Sequence, residues 1–213
     1  MSLMVNEIFY SIQGESSFAG LPCSFIRLTG CNLRCSYCDT RYVYEEGKRM
    51  SIEDVLFALP SAPRDLVEVT GGEPLLQDAC PELVDRLLKK GHTVLVETNG
   101  SLDIRCLPQR TVCILDIKCP KSGMSDRMDL GNLHHLRPQD EVKFVIQGRD
   151  DYLWARQILE THPHPSPEKV LFSPAHDTLQ PCELAEWILA DGLLARIQLP
   201  LHRLLWPGAG RGK

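Results

Sequence analysis

No apolar run in this 213-residue chain approaches the roughly 20 residues that a bilayer-crossing helix needs, so no membrane span is expected. The start lacks the basic, apolar and cleavage-site series of a secretory leader, so a cytoplasmic location is expected. Basic residues are in deficit: 23 Lys and Arg against 28 Asp and Glu give a net charge of −5. That balance disfavours a non-specific nucleic-acid binder. Low-complexity blocks, internal repeats and a domain linker are all missing, so residues 1–213 read as one domain. Hydrophobic residues at 43% and charged residues at 24% exclude a disordered chain. Met1-Ser2-Leu3, ahead of a second methionine at Met4, reads as a cloning remnant and carries no weight.

Cysteine, by contrast, is plentiful. There are nine, an odd number without a leader, and they do not tile the chain as a disulfide framework does. Cys23, Cys80, Cys106, Cys113, Cys119 and Cys182 are scattered, mostly beside apolar residues, and read as small buried hydrophobes. Cys31, Cys35 and Cys38 stand together and need another account.

Short β-branched segments recur at 24–28, 66–69, 93–96, 112–115, 142–146 and 170–172, and each reads as a strand. Amphipathic helices are expected between several of them. One follows the capping signal Ser51-Ile52-Glu53-Asp54, one opens at Pro81 and ends at Gly91, and others cover 150–160 and 181–190. The 122–137 stretch lacks a period and reads as a loop with a short helix. The 161–168 stretch reads as a surface connection, with His162 and His164 only remote metal candidates. Strand–helix alternation argues for βα units and a parallel sheet. Six units suit an α/β fold built as a partial, open (β/α)6-type barrel of parallel strands.

The polar and glycine-rich signals fall after these strands: 31–38, Thr70-Gly71-Gly72-Glu73-Pro74, Glu97-Thr98-Asn99-Gly100, Asp116-Ile117-Lys118 and Ser173-Pro174-Ala175-His176. Parallel α/β proteins build active sites at that rim, which points to an enzyme. C-x-x-x-C-x-x-C in one tight loop can wrap three thiolates around one metal centre. Structural zinc wants four ligands, and the candidate fourth ligands Cys23, His92 and Cys119 form no second knuckle. A redox disulfide accounts for two cysteines, not three. An iron–sulfur cluster fits better, with one iron left for an outside ligand.

Cys31-Asn32-Leu33-Arg34-Cys35-Ser36-Tyr37-Cys38 resembles the signature of the radical S-adenosylmethionine (SAM) superfamily, and Gly71-Gly72-Glu73-Pro74 resembles its second motif. Tyr10 to Glu15, Phe25 to Leu28, Cys38-Asp39-Thr40, Val69 to Leu76, Val96 to Gly100 and Lys118 to Met124 resemble 7-carboxy-7-deazaguanine synthases. The resemblance implies a radical SAM core. It also implies a carbon–nitrogen lyase that contracts 6-carboxy-5,6,7,8-tetrahydropterin to 7-carboxy-7-deazaguanine with loss of ammonia, in queuosine and 7-deazapurine biosynthesis. It implies one [4Fe–4S] cluster per subunit, S-adenosylmethionine, Mg²⁺, an electron donor such as flavodoxin or ferredoxin, and a homodimer.

Residue by residue, the resemblance places the cluster on Cys31, Cys35 and Cys38. It places SAM against Tyr37, Cys38, Asp39, Gly72, Asp116, Ile117, Lys118, Ser173, Pro174, Ala175 and His176. The pterin meets Ile12, Gln13, Gly14, Arg27 and Thr70, and Mg²⁺ meets the Thr40 hydroxyl. The basic tail 203–213 has no assigned role. Each has a plainer reading beside it: Arg27 as an interior ion-pair partner, Thr40 as a helix N-cap, Gln13 and Glu15 as turn residues, Gly71-Gly72 as a tight turn. Glu97 and Asn99 are kept as structural rim residues. Two rivals share parts of the pattern, an activase for a glycyl-radical protein and a zinc-binding interaction module; Gln13-Gly14-Glu15 and Cys38-Asp39-Thr40 favour the small-molecule enzyme.

Overall fold

The computed structural model describes residues 1–60, 65–208 and 210–212. Among them nine strands form one sheet in the order β3-β1-β2-β4-β5-β6-β7-β8-β9. The strands are β1 (Ser2–Ile12), β2 (Pro22–Leu28), β3 (Lys48–Ser51), β4 (Leu66–Gly71), β5 (Thr93–Thr98), β6 (Val112–Ile117), β7 (Glu141–Ile146), β8 (Val170–Pro174) and β9 (Arg196–Ile197). From β2 to β9 every pairing is parallel. At the other edge, β1 runs antiparallel to β2 and β3. The edges β3 and β9 do not meet, so the expected open, partial barrel is what forms.

The six expected strands are all present. β1 is an addition, and it corrects the reading of the first three residues. Leu3 is 1% exposed, and Ser2 to Val5 pair with Ser51 to Lys48. A segment set aside as a remnant is therefore part of the sheet and the core.

The helices are α1 (Ile52–Ala58), α2 (Cys80–Lys89), α3 (Arg149–Thr161), α4 (Pro181–Ala190) and α5 (Leu201–Leu205). Ser51 caps α1 in a reciprocal box with Asp54. Pro81 and Pro181 open α2 and α4, and Gly91 and Gly192 follow them with positive φ. Two crossovers carry no α-helix. The β5–β6 link has one 3-10 turn at Ile104–Cys106, and the β6–β7 link has three, at Pro120–Ser122, Ser125–Arg127 and Leu130–His135. The last fall where the sequence lacks a helical period.

Alternation along the strands sorts side chains between two faces. Outward residues such as Val67, Val69, Val94, Val96, Cys113, Leu115, Val142 and Phe144 join the large core beneath the helices. Inward residues Cys23, Phe25, Leu66, Leu95, Val112 and Ile114 form a small apolar plug at the strands' amino ends. Further along the same inward faces come Arg27, Glu68, Thr70, Glu97, Asp116 and Lys143, which line a cavity. Four of the six scattered cysteines are buried as expected. Cys106 and Cys182 are exposed, which corrects the reading for those two.

Candidate active site

The cavity has a volume of about 670 Å³ and opens at the carboxyl ends of the parallel strands. The loop after β2 brings Cys31, Cys35 and Cys38 to its wall, all three half-buried free thiols. Burial pushes the Cys31 and Cys35 thiols up from their ordinary value, and the Lys118 ammonium partly offsets this at Cys35. Cys35 also senses Cys38 and Cys31, so the trio shares one electrostatic site. Thiols held neutral in this way ionise as a metal binds them. Of the fourth-ligand candidates Cys23, His92 and Cys119, none lines the cavity. Three thiol donors in one loop, with room beside them, fit a four-iron cluster with one open iron.

The glycine pair after β4 is required by close approach. A Cβ at Gly71 would stand 2.2 Å from the Leu28 carbonyl oxygen, where φ is +151°. A Cβ at Gly72 would stand 2.2 Å from the Gly30 carbonyl oxygen and 2.6 Å from Cys31 Cβ. Only glycines let the second motif lie against the cysteine loop. Glu73 is fully buried and faces the other way. Its carboxylate accepts from the Leu75 amide (2.9 Å), the Thr98 hydroxyl (2.9 Å) and the Asn99 amide (2.6 Å). Asn99 in turn donates to Asn32 Oδ1 at 3.0 Å, tying the end of β5 to the cysteine loop.

Arg27 confirms part of its plainer reading: Nε donates to Glu7 Oε1 at 2.8 Å, and the guanidinium stands over Phe9. It still lines the cavity, so its terminal nitrogens are the portion available to a ligand. Thr40 precedes the 3-10 turn Arg41–Tyr44 without a side-chain cap bond, and its hydroxyl lies 3.9 Å from Cys38 Sγ. Gln13 is buried; its amide nitrogen donates to Glu68, and its oxygen accepts from the Glu15 amide at 3.1 Å. A Cβ at Gly14 would lie 2.8 Å from His202 Nδ1 and 3.2 Å from the His202 backbone nitrogen, so a side chain there would require His202 to shift.

Ile12, Gly14, Thr70, Gly72, Tyr37, Asp39, Asp116, Lys118 and Ser173 to His176 also line the cavity. Ile117 does not: it alternates outward on β6 and its side chain sits in the large core. Any role for it is confined to its backbone.

Several cavity residues escaped the sequence reading. Lys143 on β7 is 5% exposed and is the hub of a charge network. It contacts Glu15, Glu97 at 2.6 Å and Asp116 at 3.4 Å, while Lys118 reaches Asp116 at 2.8 Å. Burial opposes the Lys143 charge, yet the surrounding carboxylates outweigh it and hold the ammonium well above its usual range. Burial also opposes the Asp116 charge, and Lys118 and Lys143 overcome it. A lone charge inside an apolar strand, as at Val142-Lys143-Phe144 or Val67-Glu68-Val69, is the signal that would have found these residues.

The tail folds back over the opening. Arg203 donates to Asp39 at 2.8 Å, and Arg211 pairs with Glu46 at 2.8 Å and stacks over Tyr42. Trp206 to Gly208 and Gly210 to Gly212 line the cavity, whereas Lys213 lies outside the described residues. No helix among the described residues is long and apolar enough to cross a membrane.

The Radical SAM superfamily profile matches residues 25–110. A 7-carboxy-7-deazaguanine synthase from Koribacter versatilis is 43% identical, over 99% of this chain and all of that protein. One from Chlorobaculum tepidum is 42% identical, over 99% of this chain and 97% of its own. The crystal structure of QueE from Escherichia coli superposes with a TM-score of 0.75 at 26% identity, covering 93% of this chain and 94% of that one.

Proposed function

The chain belongs to the 7-carboxy-7-deazaguanine synthase family of radical SAM enzymes, and from that premise we propose how its cavity contracts 6-carboxy-5,6,7,8-tetrahydropterin to 7-carboxy-7-deazaguanine. The observation that carries the proposal is convergence. The three cysteines of one loop, the glycine turn packed against them, Arg27 and the polar strand ends all line one cavity.

Cys31, Cys35 and Cys38 would hold a [4Fe–4S] cluster, which together with SAM would supply the one-electron chemistry of a radical SAM enzyme. Tyr37, Cys38, Asp39 and Gly72, beside the cysteine loop, would border SAM, together with Asp116, the Ile117 backbone, Lys118 and Ser173 to His176. The Asp116–Lys118 pair, at 2.8 Å, presents both signs of charge to a zwitterionic ligand. Ile12, Gln13, Gly14, Arg27 and Thr70 line the pterin, with the Arg27 terminal nitrogens toward the substrate carboxylate. The Thr40 hydroxyl, free of a cap bond, serves Mg²⁺ as a hard oxygen donor. The tail closes over the opening and keeps water from reactive species.

A flavodoxin or ferredoxin supplies electrons, consistent with the reducing setting that nine free thiols suit. The cytoplasm is that setting. The chain pairs as a homodimer; the open edge β9 and the exposed Leu189, Leu194 and Ile197 favour a partner surface.

The test is anaerobic reconstitution with iron and sulfide, then mass spectrometry after adding reductant, SAM, Mg²⁺ and the pterin. A product lighter by one ammonia, with SAM not consumed in proportion, is expected. A bound cluster with slow SAM cleavage and no pterin product would refute the substrate.

A further inference from the structure

Glu68 is a charged residue in the middle of an apolar parallel strand, and nothing in the scheme above uses it. It is 4% exposed and lines the cavity. Among the described residues its carboxylate has one hydrogen-bond partner, the Gln13 amide nitrogen, which donates to Oε2. Among the described residues no cation forms an ion pair with it, and the Lys143 ammonium is held by Glu15, Glu97 and Asp116. A buried carboxylate with one oxygen left over is costly unless something supplies donors to it, so burial favours the protonated acid in the free protein and a donor-rich ligand favours the carboxylate.

Its neighbours say what shape of ligand would do so. Sheet register puts Phe9, Phe25 and Glu68 on one rung and Glu7, Arg27 and Thr70 on the rung two residues nearer the rim. That is a rise of about 6.6 Å. Phe9 and Phe25 stack at 4.9 Å with their planes 8° apart, and both line the cavity. The cavity therefore offers an aromatic wall, a forked cation on the upper rung and a lone carboxylate oxygen on the lower one.

We propose that Glu68 recognises the donor edge of the pterin, the ring N–H and adjacent 2-amino group, while Arg27 takes the carboxylate at the other end. This assignment rests on the pterin reading of the preceding subsection. A carboxylate matches a donor–donor edge, as it cannot match an edge carrying an acceptor. Gln13 holds Oε2 and turns the other oxygen toward the ligand.

The test uses the reconstituted wild-type enzyme and Glu68→Gln, with iron content and SAM affinity verifying that the variant is folded. In the variant, an amide that accepts from Gln13 turns its own N–H₂ toward the substrate donors, so KM for the pterin rises roughly 10- to 100-fold. The wild type discriminates by a similar factor against a 2-deamino pterin analogue, and Glu68→Gln loses that discrimination. If Glu68 only anchors Gln13, the variant weakens both compounds equally, and the proposal falls. Equal binding of the two compounds by the wild type overturns it without recourse to any variant. A wild type that does not turn over the pterin at all sinks the reaction assignment and this inference together. Failure of this inference alone is recognised by normal wild-type turnover.

Discussion

Gly72 and Cys31 touch backbone to side chain: a Cβ on Gly72 would lie 2.6 Å from the Cβ of Cys31 and 2.2 Å from the carbonyl oxygen of Gly30. The two signature segments, more than one strand apart in sequence, are thus one packed unit. The turn after β4 fixes the position of a proposed cluster ligand.

Gly72→Ala should therefore act on the cluster as well as on SAM. Something must shift by several tenths of an ångström, and backbone at Gly30 cannot yield cheaply. Iron content per reconstituted chain should drop, with loss of the brown chromophore. A variant with full iron content and weakened SAM binding alone would show that the cysteine loop accommodates the methyl group.

Lys143→Met removes the one cation shared by Glu15, Glu97 and Asp116. Breaking a buried ion pair from one side typically costs about 3–5 kcal/mol, so denaturant unfolding should show a loss of that order. Near-wild-type stability would mean that the carboxylates take up protons in place of the lysine.

Glu68 gives the fold a pH dependence of known sign. Burial first, then the charges of Glu97 and Glu15, push its carboxyl from 4.5 up to about 8. Between those values the folded chain binds more protons at this site than the unfolded chain. Its contribution is thus favourable at low pH and is lost as pH rises, by at most about 1.4 kcal/mol per pH unit. The stability gap between Glu68→Gln and wild type should move in favour of the variant from pH 5 to pH 8. A gap independent of pH would show that the carboxyl is already ionised in the folded chain.

Arg203→Ala loosens the tail only modestly. The ion pair with Asp39 is substantially exposed, with side chains 30% and 52% accessible, so it contributes below about 1 kcal/mol. Hydrogen exchange at residues 201–208 should quicken by less than about fivefold. A much larger change would show that the tail is held chiefly through Arg203.

Thr40→Ala should leave iron content intact and weaken the response of turnover to Mg²⁺. An unchanged Mg²⁺ response would remove Thr40 from the site.

Much of this protein was legible before any coordinates. Short apolar, β-branched runs mark β2 and β4 to β8, and proline, glycine and capping signals bound α1, α2 and α4, because these are local steric and hydrogen-bonding preferences. The cysteine spacing implied a metal centre, since short-loop geometry is itself local. β1 was not legible: it is held by antiparallel pairing to β2 and β3, and Leu3 owes its burial to residues nearly fifty positions away. Nor was the outward turn of Ile117, which follows from the phase of β6 in the sheet. The Lys143 network joins side chains from the loop after β1 and from β5, β6 and β7, and the lone oxygen of Glu68 acquires meaning only beside Arg27 and the stacked phenylalanines. Sequence by itself determined the strand rhythm, the cysteine trio that proposes a cluster site, and the family. Tertiary structure decided which charges share a cavity, because the energy of a buried charge depends on neighbours that only the folded sheet brings within reach.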